Sequence, residues 1–169
     1  MNTILLSISN RLIHMLPATR CFSFKRFLYR LSGVNIGKNV RIVSSVIILG
    51  DSSLKIGDNT WIGHETMILA SAPITIGSNV NIAPRCFVGT GTHEIDLTGD
   101  SIAGKGKSLP INISDGAWLC THTVVIAGAT IGKRSIVAAG AIVNGRIPDG
   151  EMWGGIPAKK IKSLDKIIN

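Results

Sequence analysis

The sequence of 169 residues predicts an all-β fold, in which short parallel strands wind into a prism-shaped coil that stacks turn upon turn. Composition is the first observation: 26 isoleucines and 19 glycines stand beside only 5% aromatic and 17% charged residues. β-branched residues favour strands and regularly placed glycines favour tight turns, so neither a helical bundle nor a disordered chain is expected. The other two observations are an internal repeat and a six-residue period of aliphatic residues.

An Ile-Gly motif recurs at intervals of 20 residues, starting at Ile36, Ile56 and Ile76. Within each repeat, and again after an interruption, aliphatic residues return at every sixth position. Fifteen residues follow this rule: Ile36, Ile42, Ile48, Ile56, Ile62, Ile68, Ile76, Ile82, Val88, Ile113, Leu119, Val125, Ile131, Val137 and Val143. A period of six fits neither an α-helix nor a simple amphipathic strand. It fits a coil with three flat faces, in which each face takes one hexad and its aliphatic residue points inward onto the equivalents above and below.

Residues 34–155 are therefore expected to form one β-helix domain. The interruption at 89–110 is polar and glycine-rich, and an inserted loop of this length inside a compact domain is usually functional. The two extra residues of each 20-residue interval are expected to form bulges at the corners. Residues 1–33 predict an amphipathic helical segment, whose apolar residues lie near one face: Ile4, Leu5, Ile8, Leu12, Met15 and Leu16. Residues 156–169 are expected to form a short tail, with a helical turn or two after Lys162.

The net charge of +8 is concentrated at the N-terminal end of the chain. Residues 1–50 contain seven Lys or Arg and no acidic residue, whereas residues 51–169 contain eleven Lys or Arg and ten Asp or Glu. This distribution indicates that one end of the molecule meets an anionic surface. With their interleaved aromatic residues, residues 1–33 are expected to contact an anionic membrane peripherally, to cap the first coil, or both. A nucleic-acid partner is not expected.

Missing residue patterns exclude several classes of protein. The sequence has three cysteines and no CxxC pattern, so neither a disulfide framework nor a zinc ribbon is expected. An odd number of thiols without a pattern is typical of a protein in a reducing compartment. No apolar run of about 18 residues is present to span a bilayer. The first nine residues lack the basic region and cleavage site of a leader, so we expect them to be retained. Residues 99–106 match a phosphate-binding loop except at Gly106, where Ser or Thr should bind magnesium, so nucleotide hydrolysis is not expected.

Four histidines are available for proton transfer. Three are expected to be structural or to lie on the surface: His14, His64 and His122. His93 differs, because it lies in the inserted loop among small polar residues and is followed by Glu94 and Asp96. An imidazole can take a proton from a hydroxyl or an amine near neutral pH, which makes His93 the candidate general base, against the alternative of an ordinary loop histidine. The wide spacing of the last three histidines leaves no close pair of zinc ligands, so no metal is expected.

Five stretches in a fixed order carry a resemblance to a known family: Ile76-Gly-Ser-Asn-Val-Asn-Ile-Ala-Pro84, Gly91-Thr-His93, Pro110-Ile-Asn-Ile-Ser-Asp-Gly-Ala-Trp118, Ala127-Gly-Ala-Thr-Ile-Gly132 and Gly154-Gly-Ile-Pro-Ala-Lys159. From Ile56 to the end, about two-thirds of its length, the chain resembles the hexapeptide-repeat acetyltransferases. It is similar to the galactoside and maltose O-acetyltransferases, and more so to the colanic-acid-type acetyltransferases of bacterial surface-polysaccharide clusters. The resemblance implies a left-handed parallel β-helix, acetyl-CoA as co-substrate, and a homotrimer with active sites between subunits.

The resemblance also implies roles for single residues. His93 matches the family's general base, and Asp96 or Glu94 is expected to orient its ring. Six residues match positions that contact acetyl-CoA: Trp118, Thr121, Ala139, Asn144, Lys159 and Lys162. Both lysines stand where the family has arginines near the CoA phosphates, so they supply charge without the bidentate fork of a guanidinium. Gly145 stands where the sugar acetyltransferases have a lysine, so one cationic contact is lost.

The acceptor pocket departs from that of the galactoside enzymes. Their asparagine and aspartate fall on Gly63 and Ser71, so two polar contacts to sugar hydroxyls are missing. Glu65 is expected to supply a replacement contact, and Ser71 remains a candidate acceptor residue. A simple galactoside is therefore not implied as the acceptor.

The resemblance implies direct acetyl transfer, in a ternary complex, from acetyl-CoA to a sugar hydroxyl during the synthesis of a surface polysaccharide such as an O-antigen, capsule or exopolysaccharide. His93 would remove the hydroxyl proton, and backbone N–H groups near Thr121 would stabilise the oxyanion. Such a protein is expected in the cytoplasm, or peripherally at the inner face of the cell membrane. Two alternatives stay open: an amino-sugar N-acetyltransferase that uses the same machinery, and a non-catalytic β-solenoid scaffold.

Overall fold

The chain winds into a left-handed parallel β-helix of about six turns, closed at its N-terminal end by two helices. This computed structural model describes residues 1–164. The helices are α1 (Thr3–His14) and α2 (Phe22–Leu31). The fold class that the six-residue period predicts is confirmed, as is the left hand that the resemblance implies.

Each complete turn contributes one strand to each of three faces. The first three turns contain β1 (Asn35–Ile36), β2 (Arg41–Ile42), β3 (Ile47–Leu49), β4 (Leu54–Ile56), β5 (Trp61–Ile62), β6 (Met67–Leu69), β7 (Ile74–Ile76), β8 (Asn81–Ile82) and β9 (Phe87–Gly89). The inserted segment follows, with β10 (Gly91–Ile95) and β11 (Ala103–Ser108). The later turns contain β12 (Ile111–Ile113), β13 (Trp118–Leu119), β14 (Val124–Val125), β15 (Thr130–Ile131), β16 (Ile136–Val137), β17 (Ile142–Val143), β18 (Arg146–Ile147), β19 (Glu151–Gly154) and β20 (Lys159–Ser163).

The faces of the prism are three sheets, parallel throughout except at β20. Their strand orders are β1-β4-β7-β12-β15-β18 on the first face, β2-β5-β8-β13-β16-β19-β20 on the second, and β3-β6-β9-β14-β17 on the third. The inward residues pair in register from turn to turn, as Ile62 pairs with Ile82 and Ile82 with Leu119. All fifteen aliphatic residues of the six-residue period are buried, and Ile36, at 5% exposure, is the most accessible. Stacked turns, rather than any single turn, therefore form the core.

The two extra residues of each 20-residue interval lie at the corner between the third and first faces. They lengthen the first-face strands, so that β4 and β7 have three residues where β1 has two. Leu54 and Ile74 thereby become additional inward residues that pair with each other, and Ile111 continues the row. The prediction of a corner bulge is therefore wrong. Leu54 and Ile74 are aliphatic, and they bury more apolar surface in an extended strand that points them into the core than they would in an outward bulge.

The two helices cover the open end of the first turn. α1 packs through Leu6 and Ile13, and α2 packs through Leu28 and Tyr29, all of them buried. The apolar stripe expected of α1 is present, but it faces solvent, with Met15 83% exposed. Neither of the helices in residues 1–164 is long and apolar enough to cross a membrane.

The tail begins as a strand. After the coil, β20 returns antiparallel alongside β19, with Lys162 opposite Met152. Ser163 belongs to this strand. The helical turn expected after Lys162 falls mainly on residues 165–169, which lie outside the described residues.

Candidate functional site

The inserted segment folds as a two-stranded antiparallel hairpin at the corner between the third and first faces. β10 and β11 pair His93 with Gly106, and the register shifts before Ile95. The insertion leaves the coil continuous, since β12 pairs with β7 just as β7 pairs with β4. The hairpin therefore carries its side chains outside the core, where they can meet a ligand.

The ring of His93 is oriented by the backbone of the opposite strand. Its Nδ1 lies 2.9 Å from the carbonyl oxygen of Gly104. Because a carbonyl oxygen can only accept a hydrogen bond, Nδ1 carries the proton and donates it. The neutral ring then leaves the lone pair of Nε2 free to accept a proton, which is what a general base requires.

Glycine at position 104 permits this close approach. A Cβ on Gly104 would lie 2.9 Å from the Cβ of Asp96 and 3.2 Å from the carbonyl oxygen of Glu94. A Cβ on Gly106 would meet only Cε1 of His93, at an ordinary contact distance of 3.9 Å. The hairpin packing therefore requires a glycine at the first of these positions and not at the second.

Among residues 1–164, the imidazole of His93 makes no hydrogen bond to either carboxylate expected to orient it, Asp96 or Glu94. Oδ1 of Asp96 accepts hydrogen bonds from the backbone N–H groups of Thr98 and Gly99 and from the Thr98 hydroxyl, each at 2.9 Å. These bonds hold the pKa of Asp96 below its usual range, and they tie the turn of the hairpin. Glu94 lines the same cavity as His93. The hydrogen-bond partner of the imidazole is the backbone carbonyl of Gly104 and not the Glu94 carboxylate.

A cavity of about 660 Å³ opens beside His93, at the foot of the hairpin. Its wall combines the apolar side chains of Leu109 and Ile126 with the ionisable groups of Glu94 and Lys107. Its volume is in the range of small-molecule sites, and a hydroxyl or amine bound there would lie beside the imidazole of His93. Among residues 1–164, no three His, Cys, Asp or Glu side chains are placed to hold a metal ion.

Thr121 and Ala139, two of the expected acetyl-CoA contacts, stack at the corner between the second and third faces. The backbone N–H of Gly140 donates to the Thr121 carbonyl oxygen at 3.0 Å. The hydroxyl of Thr121 donates to the carbonyl oxygen of Pro84 at 2.8 Å. This corner is the opposite edge of the third face from the hairpin, so one chain does not bring Thr121 next to His93.

The remaining expected acetyl-CoA contacts lie on the later turns. Trp118, on the second face, is 48% exposed. Asn144 is exposed at the corner that also carries the hairpin, two turns further along the coil. Lys159 and Lys162 are exposed on β20. These residues lie on different faces and corners of one chain and do not form a closed pocket within it.

The two expected acceptor residues also lie apart. Glu65, at the corner between the second and third faces, forms an ion pair with Arg85, with 2.8 Å between Oε2 and Nε. The hydrogen bond and the charge of Arg85 hold the pKa of Glu65 below its usual range. Ser71 is exposed at the opposite corner, where its N–H donates to the hydroxyl of Thr90 at 2.9 Å. An acceptor could therefore reach Glu65 only by displacing or sharing Arg85.

Sequence reasoning missed the Gly104 carbonyl, Lys107 and Ile126 as parts of the site. The alternating Gly-Lys-Gly-Lys of residues 104–107 was an available indication, since glycine within a strand often marks a close approach of another backbone. Nothing in the sequence distinguishes Ile126 as a residue of the cavity wall, because aliphatic residues occur throughout the coils.

Known structures resemble this chain over nearly its whole length, although no protein-family model matches it. The hexapeptide-repeat-containing acetyltransferase of Vibrio cholerae is 30% identical, and the alignment covers 95% of this chain and 91% of that one with a TM-score of 0.74. A second structure of that protein, complexed with acetyl-CoA, covers 96% of this chain and 86% of that one with a TM-score of 0.75. The chain belongs to the hexapeptide-repeat acetyltransferases.

Two further proteins are similar over parts of their length. The galactoside O-acetyltransferase of Escherichia coli is 36% identical over 62 residues, which are 37% of this chain and 30% of that protein. The structure of a polySia-specific acetyltransferase is 27% identical, covering 78% of this chain and 61% of that one with a TM-score of 0.64. Among the first four sequence relatives, the matched segments span between 30% and 43% of the relative's length.

Proposed function

We propose that this protein transfers the acetyl group of acetyl-CoA to a sugar hydroxyl, with His93 as the general base. The observation that carries the proposal is the hydrogen bond from Nδ1 of His93 to the Gly104 carbonyl beside a cavity, because in the neutral ring this bond makes Nε2 the acceptor. The similar Vibrio cholerae protein was solved with acetyl-CoA, which supports the choice of acyl donor. The similarity to a galactoside O-acetyltransferase supports a sugar acceptor.

Acetyl-CoA supplies an activated acyl group as a thioester. In the proposed reaction, Nε2 of His93 removes the proton of the acceptor hydroxyl while the hydroxyl oxygen attacks the acyl carbonyl. The new C–O bond forms, the C–S bond breaks, and the proton passes from the imidazolium to the departing sulfur. The Gly104 carbonyl stabilises the imidazolium because its hydrogen bond becomes charge-assisted. A positioned base of this kind contributes a factor of about 10²–10⁴ in rate.

We further infer that a second copy completes the site, within a homotrimer. The outward residues of the third face form an apolar row: Ile47, Met67, Phe87, Val124 and Ile142. The corresponding row of the first face is largely polar: Asn35, Lys55, Thr75, Asn112, Thr130 and Arg146. An extended apolar row is typical of a surface that another chain covers, and a closed ring of copies covers every such row. The number of copies, three, follows the family resemblance.

The two edges of the third face carry the two halves of the site. His93 stands at one edge and Thr121 at the other. In a closed ring, neighbouring third faces meet at their edges, so His93 of one copy faces Thr121 of the next. Acetyl-CoA would lie in this groove, with backbone N–H groups near Thr121 at the oxyanion, a contribution of about 2.7–4 kcal/mol. The other proposed contacts to acetyl-CoA are Trp118, Ala139, Asn144, Lys159 and Lys162.

The acceptor is proposed to be a saccharide of a surface polysaccharide, modified in the cytoplasm at the inner face of the cell membrane. The similarity to a polySia-specific acetyltransferase supports an acceptor that is a chain of sugars. Glu94 and Lys107, in the cavity wall, can hydrogen-bond to sugar hydroxyls. Ser71 is proposed to contact the acceptor at the corner between the third and first faces, which also carries the hairpin. Glu65 is proposed to bind the acceptor together with its ion-pair partner Arg85.

Thiol release from acetyl-CoA, with a panel of sugars and oligosaccharides, tests the proposal in the wild type and in His93→Gln. We expect acceptor-dependent release that falls by a factor of about 10²–10⁴ in the variant, while calorimetry shows that acetyl-CoA binding is retained. His14→Gln, on the exposed side of α1, is the matched control and should release thiol like the wild type.

Two results would contradict the proposal. Undiminished release in the His93 variant would remove the general-base role and leave the acetyltransferase assignment standing. Failure of the wild type to bind acetyl-CoA would overturn the assignment and favour the non-catalytic scaffold.

A further inference from the structure

Eight large apolar side chains of α1, its C-cap Met15 and α2 are exposed at the N-terminal end of the coil: Ile4, Leu5, Ile8, Leu12, Met15, Phe24, Phe27 and Leu31. We call this set the cap surface. Their exposed fractions run from 42% to 83%. The first turn is already closed by other residues of the same helices, among them the buried Leu6, Ile13 and Leu28. The cap surface is therefore apolar area beyond what the fold uses.

The exposed apolar residues of α1 and those of α2 lie on either side of the line along which the two helices meet, which we call the seam. α1 and α2 meet where the hydroxyl of Ser9 donates to the carbonyl oxygen of Leu28 at 3.1 Å. Leu5 and Leu12 stand four residues before and three residues after Ser9, so they lie beside it on the helix surface. Phe24 stands four residues before Leu28 and lies beside it in the same way. Leu5, Leu12 and Phe24 thus flank the seam from both helices, whereas Met15 lies at the edge of the cap surface, beside Ile47 and Leu49 of the third face.

The charged residues of the two helices that carry the cap surface are all positive. Residues 1–50 contain seven Lys or Arg and no Asp or Glu. Three of these cations are held at this end of the molecule by donating to backbone carbonyl oxygens: Lys25, Arg26 and Arg30. Arg11, on α1, and Arg20, between the helices, are exposed. The two helices therefore carry cations without an acid of their own, and the acid beside the start of α1 is the exposed Asp51, whose backbone carbonyl oxygen accepts from the N-terminal amine at 2.9 Å.

We propose that the cap surface lies in the plane of an anionic membrane, with its apolar side chains at the boundary between headgroups and acyl chains and with Arg11 and Arg20 at the phosphates. An apolar helix face bordered by basic residues is the arrangement that binds anionic bilayers in the interface plane. A second copy of this chain is a poor occupant of the cap surface, because two cap surfaces brought together would oppose two sets of cations on helices that contain no acid.

A ring of copies would strengthen this contact. The apolar row of the third face runs along the coil axis, so copies that pack through it in a closed ring have their N-terminal ends on the same side. Three cap surfaces then meet one membrane, and each binding event raises the effective concentration for the next. This inference rests on the proposed location of the protein at the membrane. It does not rest on the proposed acetyl transfer, so membrane binding and acetyl transfer can be disproved separately.

Vesicle flotation with the full chain tests the proposal. The wild type is mixed with vesicles of phosphatidylcholine alone, or of phosphatidylcholine and phosphatidylglycerol in equal parts. We expect flotation with the anionic vesicles only, and release at high salt because the charges are screened. The double variant Ile8→Asp/Phe27→Asp should lower the floated fraction about tenfold, since it removes apolar contacts and adds negative charge at the membrane. Ile102→Asp, at a residue 65% exposed on the hairpin, is the matched control and should float like the wild type.

Light scattering and circular dichroism of each variant separate membrane binding from assembly and from folding. The proposal is overturned if the wild type stays in the bottom fraction with anionic vesicles at low salt, or if the double variant and the Ile102 control float equally. It is also overturned if the double variant lowers the mass of the assembly, because the cap surface would then be a contact between copies. Loss of flotation in a folded double variant that still releases thiol in solution would support it.

Discussion

Nδ1 of His93 and the carbonyl oxygen of Gly104 lie 2.9 Å apart, across the two strands of one hairpin. The residue that pairs with His93 in the ladder is Gly106, so the ring leans along the strand toward the turn. A backbone carbonyl stays an acceptor at every pH, and no substitution of a side chain removes it. The tautomer of the imidazole is therefore set by the fold of the hairpin rather than by a titratable partner.

Gly104→Ala should displace the carbonyl that orients His93. The added Cβ would lie 2.9 Å from the Cβ of Asp96, closer than folded proteins allow, so the strands must move apart. We expect acceptor-dependent thiol release to fall by up to about 100-fold, the effect of a small misplacement of a catalytic group. Gly106→Ala is the matched control, because its Cβ meets only the ring edge at 3.9 Å. An equal loss in both variants would contradict the orienting role.

The turn of the hairpin should loosen at acid pH. Hydrogen bonds from Thr98 and Gly99 hold the pKa of Asp96 below its usual range, so the folded hairpin favours the carboxylate. A group whose pKa is lower in the folded state contributes stability above its unfolded pKa, and this contribution disappears as the pH falls through the folded value. Protection of the Thr98 and Gly99 amides from hydrogen exchange, measured by NMR, should decrease over this interval. Asp96→Asn should show weaker protection with little dependence on pH, and a pH profile equal to that of the wild type would refute the account.

Removal of one inward side chain should destabilise the whole coil. Ile82 is fully buried, between Ile62 and Leu119 of the neighbouring turns. Ile82→Ala should lower the free energy of unfolding by about 2–5 kcal/mol, because burial is lost and a cavity remains. Asn81→Ala, at the exposed position next to it, should change this free energy by less than about 0.5 kcal/mol. Urea denaturation monitored by circular dichroism gives both values, and similar losses at the two positions would contradict the inward assignment.

A charge in the apolar row of the third face should separate the copies. Val124→Lys would place an unpaired ammonium between chains of the proposed homotrimer, where its desolvation is unfavourable. We expect the mass measured by light scattering to fall from that of three chains to that of one, 17.9 kDa, and thiol release to be lost. Thr75→Lys, in the row of the first face, should leave both unchanged. A monomeric Val124 variant that stays active would show that one chain holds a complete site.

Mixed assemblies provide an independent test of the shared site. His93→Gln removes the proposed base at one edge of the third face, and Thr121→Trp blocks the proposed groove at the other, so each variant alone should be inactive. Chains of both kinds, unfolded and refolded together, should recover part of the thiol release. Recovery follows because some interfaces combine an intact His93 of one chain with an intact Thr121 of the next. Absence of any recovery in assemblies shown by mass spectrometry to be mixed would place the two residues in one chain's site.

The coil was predictable because one physical rule acts at each position. Ile62, Ile82 and Leu119 stack because each turn buries its aliphatic residue only against the next turn, so the period of six appears directly in the sequence. Leu54 and Ile74 follow the same rule where the first-face strands begin. The sequence shows that each 20-residue interval has two extra residues, but it does not show whether they form an outward loop or extend the strand. That choice depends on the packing of neighbouring turns.

The helices and the site were only partly predictable. α1 has apolar residues on two sides, and sequence cannot show that Leu6 and Ile13 pack inward while Met15 stays exposed. His93 could be proposed as the general base because it lies in a polar insertion, whereas the carbonyl oxygen that accepts from its Nδ1 belongs to the backbone and has no residue signature. The separation of His93 from Thr121 across the third face follows from the topology of the turns.

The hairpin leaves the coil at the end of the third turn, while α1 and α2 close the first. Neighbouring strands of a sheet lie about 4.8 Å apart, and a helix layer adds about 10 Å. The hairpin stands two strand spacings beyond the first turn. A molecule whose cap surface lies at the boundary between headgroups and acyl chains would therefore hold the base of the hairpin roughly 20 Å above that boundary. A single sugar on a carrier lipid would remain below that height, whereas a chain of several sugars would reach it. The number of turns between cap and hairpin would then act as a ruler, and an added or deleted turn would change the length of saccharide that is acetylated rather than the kind of sugar.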